Sequence, residues 1–391
     1  MTTETWVIEP RDPLVFGDGI APVPFVDRKE RLPAPGTVSG MVRSAFVADR
    51  GRVTPEDAAR LLTSISIRGP WMVQRKEDKL AVWVPAPHDG VVSSDGSLLR
   101  GRLLAPADGE GVLWPKDVDT TMRLIALDER GKDGKKVRSI VEESPLWPLD
   151  QAVGWALGEA VTGEPASPTL TYEHRVHVAL NDETGTADAG MLFSSHGVRF
   201  GADLALAIEV TVRDATLEAI PLPPTVVLGG ESRLSFRRSD ASAAFPSFAA
   251  YAKRFDAALE RRPRGLRLQL LTPACLRGDG TSAWRPDLDV EGLKLVAACI
   301  PGFTAVSGWD LQKAAPREVR RLVPSGSTYF YDRGELSNTE LKALCEKLWC
   351  QPIEVSGRTD DDIAHHRATP AQDGYGLVLP GFWFDAAGET I

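Results

Sequence analysis

The sequence is thin in the residues from which most active sites are built. Its 391 residues include six histidines, five tyrosines and four cysteines. It contains no HExxH, no GxSxG and no Walker A motif, and Gly229-Gly230 lacks the Gly-Lys-Ser/Thr that would complete a phosphate loop. Zinc-protease, α/β-hydrolase and P-loop chemistry therefore have no anchor. Cys275, Cys299, Cys345 and Cys350 form neither a CxxC pair nor a zinc spacing, so reduced structural thiols in a cytoplasmic protein are expected. No histidine stands in a metal-binding motif, and no metal or cofactor is expected. Asp360-Asp361-Asp362, near His365 and His366, reads as a solvated acidic loop. No stretch approaches the roughly 18 apolar residues of a membrane span, and the first six residues lack the basic and apolar regions of a secretory signal.

What is present describes a folded chain. A hydrophobic fraction of 43% and a charged fraction of 25% are those of a soluble globular protein, and the length favours two domains. Net charge is −9, yet between Arg233 and Arg321 there are 16 Lys and Arg against 9 Asp and Glu. That local +7 inside an acidic chain allows one face to meet a polyanion.

The pattern is α+β. A strand at 5–9 leads through a Gly/Pro-rich loop into a helix for which Thr37 is the expected N-cap. Val38, Met41, Val42, Ala45 and Phe46 fall on one apolar stripe. Ser39, Gly40 and Arg43 lie off that stripe, where they suit a phosphate at a helix N-terminus or an ordinary solvated face. Thr54-Pro55 opens a second helix, and strands at 64–73 and 80–84 follow. Strand, helix, strand, strand opens a ferredoxin-like βαββαβ unit. Residues 86–165 carry little periodic signal beyond a helix at 150–159, and 130–136 read as a loop. A hairpin is expected at 172–180 and 190–193, with a strand at 203–212 behind it. Pro221-Leu222-Pro223-Pro224 reads as inter-domain punctuation, after which strands and helices alternate again. Ser337 and Glu340 form a capping box before a helix ending at Trp349.

Three glycine elements could bring backbone amides close to a phosphate or sugar: Gly36 with Gly40, Gly229-Gly230, and Gly374-Tyr375-Gly376. In Gly229-Gly230-Glu231-Ser232-Arg233, amides, a hydroxyl and a guanidinium sit together, and Arg237 and Arg238 follow closely. Tyr375 is either a base-stacking ring or a packed loop aromatic.

In order along the chain, Arg11-Asp12-Pro13-Leu14, the run from Leu32 to Gly40, Ile65-Ser66-Ile67-Arg68-Gly69-Pro70, Leu228-Gly229-Gly230-Glu231-Ser232-Arg233 and Gly374-Tyr375-Gly376-Leu377 resemble the RAMP superfamily of CRISPR effector subunits. More narrowly, the set resembles the family of the third Cmr subunit of type III-B complexes. The resemblance implies two tandem ferredoxin-like (RRM-like) domains, 1–220 and 221–391, with a large insertion at about 86–165 and a projecting β-hairpin thumb within about 172–200, mapping to 177–190. It implies a non-catalytic subunit that binds and caps the 5′ repeat-derived handle of CRISPR RNA. That subunit would bridge the large cyclase-type signature subunit and the first backbone RAMP subunit, and meet target RNA only near the handle–guide junction. Arg11, Arg175, His177 and Arg199 join the glycine elements as its expected RNA contacts. Two rivals remain: a metal-independent RAMP endoribonuclease using His365 or His366, and a scaffold that binds only protein.

Overall fold

The computed structural model describes residues 1–16, 32–49, 53–76, 79–93, 96–104, 124–126, 138–143, 145–161, 167–181, 183–276, 284–286, 288–307, 309–310, 315–316, 319–353 and 370–384. The expected loop at 130–136, the acidic run 360–362 and both His365 and His366 lie outside them.

The first part of the frame comprises β1 (Thr2–Pro10), β2 (Leu14–Val15), α1 (Pro35–Ala45), α2 (Pro55–Ser64), β3 (Ile65–Lys76) and β4 (Lys79–Pro85). Then come β5 (Leu146–Pro148), α3 (Leu149–Ala156), β6 (Thr171–Leu180), β7 (Ala187–Arg199), β8 (Leu204–Val212), β9 (Thr225–Val227) and β10 (Leu234–Ser239). The remainder holds α4 (Ala252–Glu260), β11 (Gly265–Leu270), β12 (Lys294–Cys299), β13 (Thr328–Asp332), α5 (Asn338–Leu348) and β14 (Val378–Trp383). The result is a mixed α/β fold with several antiparallel sheets and few helices.

A seven-stranded sheet runs β5-β4-β3-β8-β1-β10-β9. Within it β1 and β3 are parallel, with β8 antiparallel to both lying between them and α1 and α2 in the crossover. That is a split β-α-β unit, and β10 flanks β1 on its other side. A four-stranded sheet repeats the order: β13 separates β11 from β12, and β14 flanks β11.

Two sequence expectations change here. The strand at 80–84 is not the third strand of the unit. Its register on β3 closes as a hairpin at Lys76 and Lys79, which sends β4 to the outer side, and β8 fills the place between β1 and β3. The boundary at 221 falls inside the first sheet, because β9 and β10 both join it.

Helix α1 also starts earlier than expected. Thr37 is not the N-cap; Ala34 is, without a side-chain cap, and Pro35 stands at the first helical position, where its fixed φ is already helical and its missing N–H costs nothing. The stripe itself is as read: Val38, Met41, Val42, Ala45 and Phe46 are buried against Trp6, Ile8, Ile65, Met72, Leu206 and Ile208 on one face of the sheet. Helix α2 has the capping box of Thr54 and Asp57, and α5 that of Ser337 and Glu340.

The opposite face of the first sheet, with Val7, Trp71, Val73, Val84 and Ala207, shares a second core with Leu266, Leu268, Leu270, Val378 and Phe382 of the second sheet. Helix α3, from within the 86–165 insertion, belongs to that shared core through Val153 and Trp155. Gly381 of β14 lies so close to the Ala156 carbonyl that a Cβ there would collide with it. The insertion is further tied down by Asp89, which receives Arg267 in a bidentate pair (Nε to Oδ2 2.7 Å, a terminal nitrogen to Oδ1 2.8 Å) and the Trp155 indole N–H at 2.9 Å. Residues 86–165 are therefore in part a strut between the sheets.

Among the described residues no helix is long and apolar enough to cross a membrane, and no group of three His, Cys, Asp or Glu side chains is placed to hold a metal.

Candidate nucleic-acid interface

The two-residue strand β2 joins two distant segments. Leu14 and Val15 pair with Val198 and Gly197 at the foot of the β6–β7 hairpin, while Val15 bridges to Gly230. The Gly230 N–H donates to the Val15 carbonyl at 2.7 Å. Gly229 adopts φ +83°, and a Cβ there would sit 2.5 Å from the same carbonyl oxygen, so conformation and contact both demand glycine. Glu231 and Ser232 then turn the chain in the left-handed region (φ 56° and 51°), and the Leu228 N–H closes on the Arg233 carbonyl at 3.0 Å.

A shallow recess forms where the segments meet, between Pro13, Glu173, Arg175, Ser195, Gly197 and Arg233. Glu173 is paired with Arg175 and, at 2.8 Å, with Arg199; Arg233 is paired with Glu231. Hydrogen bonds from Arg199 and then Arg175 hold the Glu173 carboxyl below its usual range. Three guanidiniums against two carboxylates leave the recess cationic, and Arg175 and Arg199 are about half exposed. A guanidinium has five N–H donors in a fork that matches phosphate, so a phosphate could bind while the internal pairs persist. Arg11 is exposed beside this recess, its backbone N–H donating to the Leu234 carbonyl at 3.1 Å. His177 shares the hairpin face of Arg175 and is 2.8 Å from the Ser195 hydroxyl.

The hairpin is longer than the sequence indicated, with its return strand spanning Ala187–Arg199 rather than 190–193. Its other face carries Tyr172, Val176, Val178 and Leu180, all exposed.

Other expected contacts lie elsewhere. Ser39 and Arg43 are buried. Ser39 donates to the Gly36 carbonyl at 3.1 Å, and Arg43 donates to Ser39 Oγ at 3.1 Å and ion-pairs with Asp373 at 2.6 Å. They are thus not offered to a phosphate; Gly40, by contrast, faces open space. Gly374, Tyr375 and Gly376 are buried as well. The Tyr375 ring covers Gly36, whose added Cβ would meet the tyrosine oxygen at 2.8 Å, and burial pushes the phenol up to about 12. Of the two readings of Tyr375, the packed aromatic is the one observed. Arg237 caps the carbonyls of Pro223 (2.9 Å) and Leu222 (3.2 Å) and covers the Trp6 ring, and Arg238 pairs with Glu9 (2.9 Å) and Asp240. These two arginines hold the edge of the first sheet rather than extending the recess.

The model of the family described as CRISPR-associated protein (Cas_Cmr3) matches residues 6–383. The chain belongs to the Cas_Cmr3 family. That membership makes it a subunit of a CRISPR effector complex. Among solved structures, a chain of the type III-B Cmr-beta complex bound to cognate target RNA and AMPPNP is 12% identical, with 84% of this chain and 86% of that one covered and a TM-score of 0.48. A chain of the Csm3–Csm4 subcomplex of the type III-A interference complex is 10% identical over 85% and 97%, with a TM-score of 0.37. One from the Csm1–Csm4 cassette with AMPPNP is 11% identical over 86% and 91%, at 0.33. Among curated proteins nothing matches. Likeness at these scores adds nothing to the family match.

Within a family member the recess gains meaning. Sequence reading missed Glu173, Ser195 and Pro13 as its lining. Glu173 was findable, since strand alternation puts it two residues from Arg175 on the same face. The Val15–Gly230 bridge carries no signal in sequence at all.

Proposed function

We propose that this Cas_Cmr3 family member is the non-catalytic, cytoplasmic subunit that binds and caps the 5′ repeat-derived handle of CRISPR RNA in a type III-B effector complex. In this reading it joins the large cyclase-type signature subunit to the first backbone RAMP subunit, and it meets target RNA only where handle gives way to guide. The observation that carries the proposal is the recess at β2, where Arg11, the hairpin foot and the Gly229–Arg233 turn converge on one cationic surface. We read both sheets as ferredoxin-like units, since in each the fourth, first, third and second strands lie in that order. The first unit then extends to about residue 240 rather than 220, and the β6–β7 hairpin is its thumb. Gly229, Gly230, Glu231, Ser232 and Arg233 would present the turn to the handle, with Arg175, His177 and Arg199 beside it.

The test is co-expression with the signature subunit, the backbone subunits and a CRISPR array, followed by capture on this chain and sequencing of the RNA retained. Wild type should retain RNA sharing one repeat-derived 5′ end. Arg175→Glu should weaken retention and flatten its salt dependence, because each lost phosphate contact lowers the salt slope by about 0.7–0.9. Gly229→Asp, checked for folding by thermal melt, should abolish retention. RNA of random ends, or retention unmoved by either change, would refute handle capping. A defined end that shifts when His365 and His366 are replaced would assign nuclease activity instead.

A further inference from the structure

A small antiparallel ribbon projects from the second unit between β12 and β13, formed by Thr304–Val306 and Arg320–Leu322. Its register sets Ala305 opposite Arg321 and Val306 opposite Arg320. Side chains alternate along a strand, so Arg321 and Phe303 share one face and Arg320 takes the other. Phe303 is 64% exposed, which is extreme for a phenylalanine, and the Arg321 guanidinium lies over its ring at 5.1 Å. Val319, on the same face, is 54% exposed. Among the described residues neither Arg320 nor Arg321 has a carboxylate partner. Of the other arginines already discussed, Arg43, Arg175, Arg199, Arg233, Arg238 and Arg267 each have one, with Arg175 and Arg199 sharing Glu173.

We infer that this ribbon is a contact for single-stranded RNA, with Phe303 stacking on a base and Arg321, on the same face, taking the adjoining phosphate. The inference rests on the RNA-binding reading above and adds a place on the chain that the glycine elements do not include. An exposed aromatic ring under a guanidinium suits a nucleobase, because every base has a π-face and the cation serves both ring and backbone. Protein interfaces also use aromatic and arginine residues, but two adjacent cations with no counter-charge among the described residues favour a polyanion.

The test uses the purified full chain and a labelled single-stranded RNA of mixed sequence, read by fluorescence anisotropy over a salt series. Phe303→Ala should lower affinity about tenfold, a size typical of one lost base stack, whereas Phe303→Trp should retain it. Arg321→Gln should lower affinity several-fold and reduce the salt slope by about 0.7. Phe303 and Arg321 are exposed, so unchanged melting curves are expected for all three variants. If wild type binds and Gly229→Asp abolishes binding while Phe303→Ala and Arg321→Gln leave it intact, the ribbon inference fails and the handle reading stands. If wild type binds no RNA, the ribbon inference fails, while handle capping is decided by the RNA retained in the assembled complex. Loss of a protein partner from the complex in Phe303→Ala, with RNA affinity unaltered, would make the ribbon a protein contact and overturn the inference.

Discussion

Replacing Asp89 with Ala tests whether the insertion is a strut. Asp89 and Arg267 have side chains only 7% and 2% exposed, and the carboxylate also accepts the Trp155 indole N–H at 2.9 Å. The variant leaves a guanidinium in the shared core with no counter-charge. Breaking one side of a buried pair costs about 3–5 kcal/mol. The orphaned indole donor belongs to the same network, so its cost is not a separate addition. The double variant Asp89→Leu/Arg267→Met removes both charges and should be milder than either single change, because the desolvation penalty goes with the pair. Urea unfolding followed by tryptophan fluorescence gives the midpoints. Hydrogen exchange then locates the loss, expected in Gly90–Val92 and in β11. Acid dependence gives a second readout. Pairing with Arg267 overcomes the opposing effect of burial and holds the Asp89 carboxyl below its ordinary value of 3.8. Its stabilisation is complete above about pH 4 and is lost as pH falls through the depressed value. Asp89→Asn should lack that acid-sensitive component. An Asp89→Ala midpoint within about 1 kcal/mol of wild type, or a double variant worse than both singles, would refute the strut.

Gly36→Val should destabilise by about 1–3 kcal/mol, because its side chain would press on the Tyr375 ring; differential scanning fluorimetry measures it, and an unchanged melt would show that the ring yields freely. Arg43→Ala should loosen the loop from Pro370 to Gly376 by removing the partner of Asp373, seen as faster proteolysis there with β1 unaffected. The thiols of Cys345 and Cys350 should resist aromatic disulfide reagents in the native chain at pH 8. Both are fully buried, and burial pushes Cys350 up to about 12 and Cys345 higher still; fast labelling of either would contradict that packing.

Local order was largely legible in the sequence, and long-range order was not. The α1 stripe and the Thr54 and Ser337 caps rest on neighbours three or four residues away, and the strand alternation at 172–180 on neighbours two away. Which strand lies beside β1 depends on residues about two hundred positions on, such as Val210 opposite Glu4, and no local pattern encodes that. Arg43 illustrates the same limit within the candidate site. Its place off the apolar stripe reads as surface, but the loop bearing Asp373 folds over it and makes it interior. Arg237 and Arg238 lie in a basic segment, yet the carbonyls and carboxylates that engage them are contributed by Leu222, Pro223, Glu9 and Asp240.

The placement of β1 has a consequence for how the chain is made. Thr2–Pro10 is hydrogen-bonded on one side to Leu204–Val212 and on the other to Leu234–Ser239, so once made this strand has no partner until about two hundred further residues have been synthesised. At about 5–20 residues per second that wait is roughly 10–40 s. Throughout it Trp6, Val7 and Ile8, later among the best buried side chains of the fold, are exposed on a strand with two open edges. The β3–β4 hairpin can close in microseconds, but β1 cannot. The nascent chain thus has a built-in window in which a chaperone or an early-arriving partner subunit would find an extended apolar segment to hold.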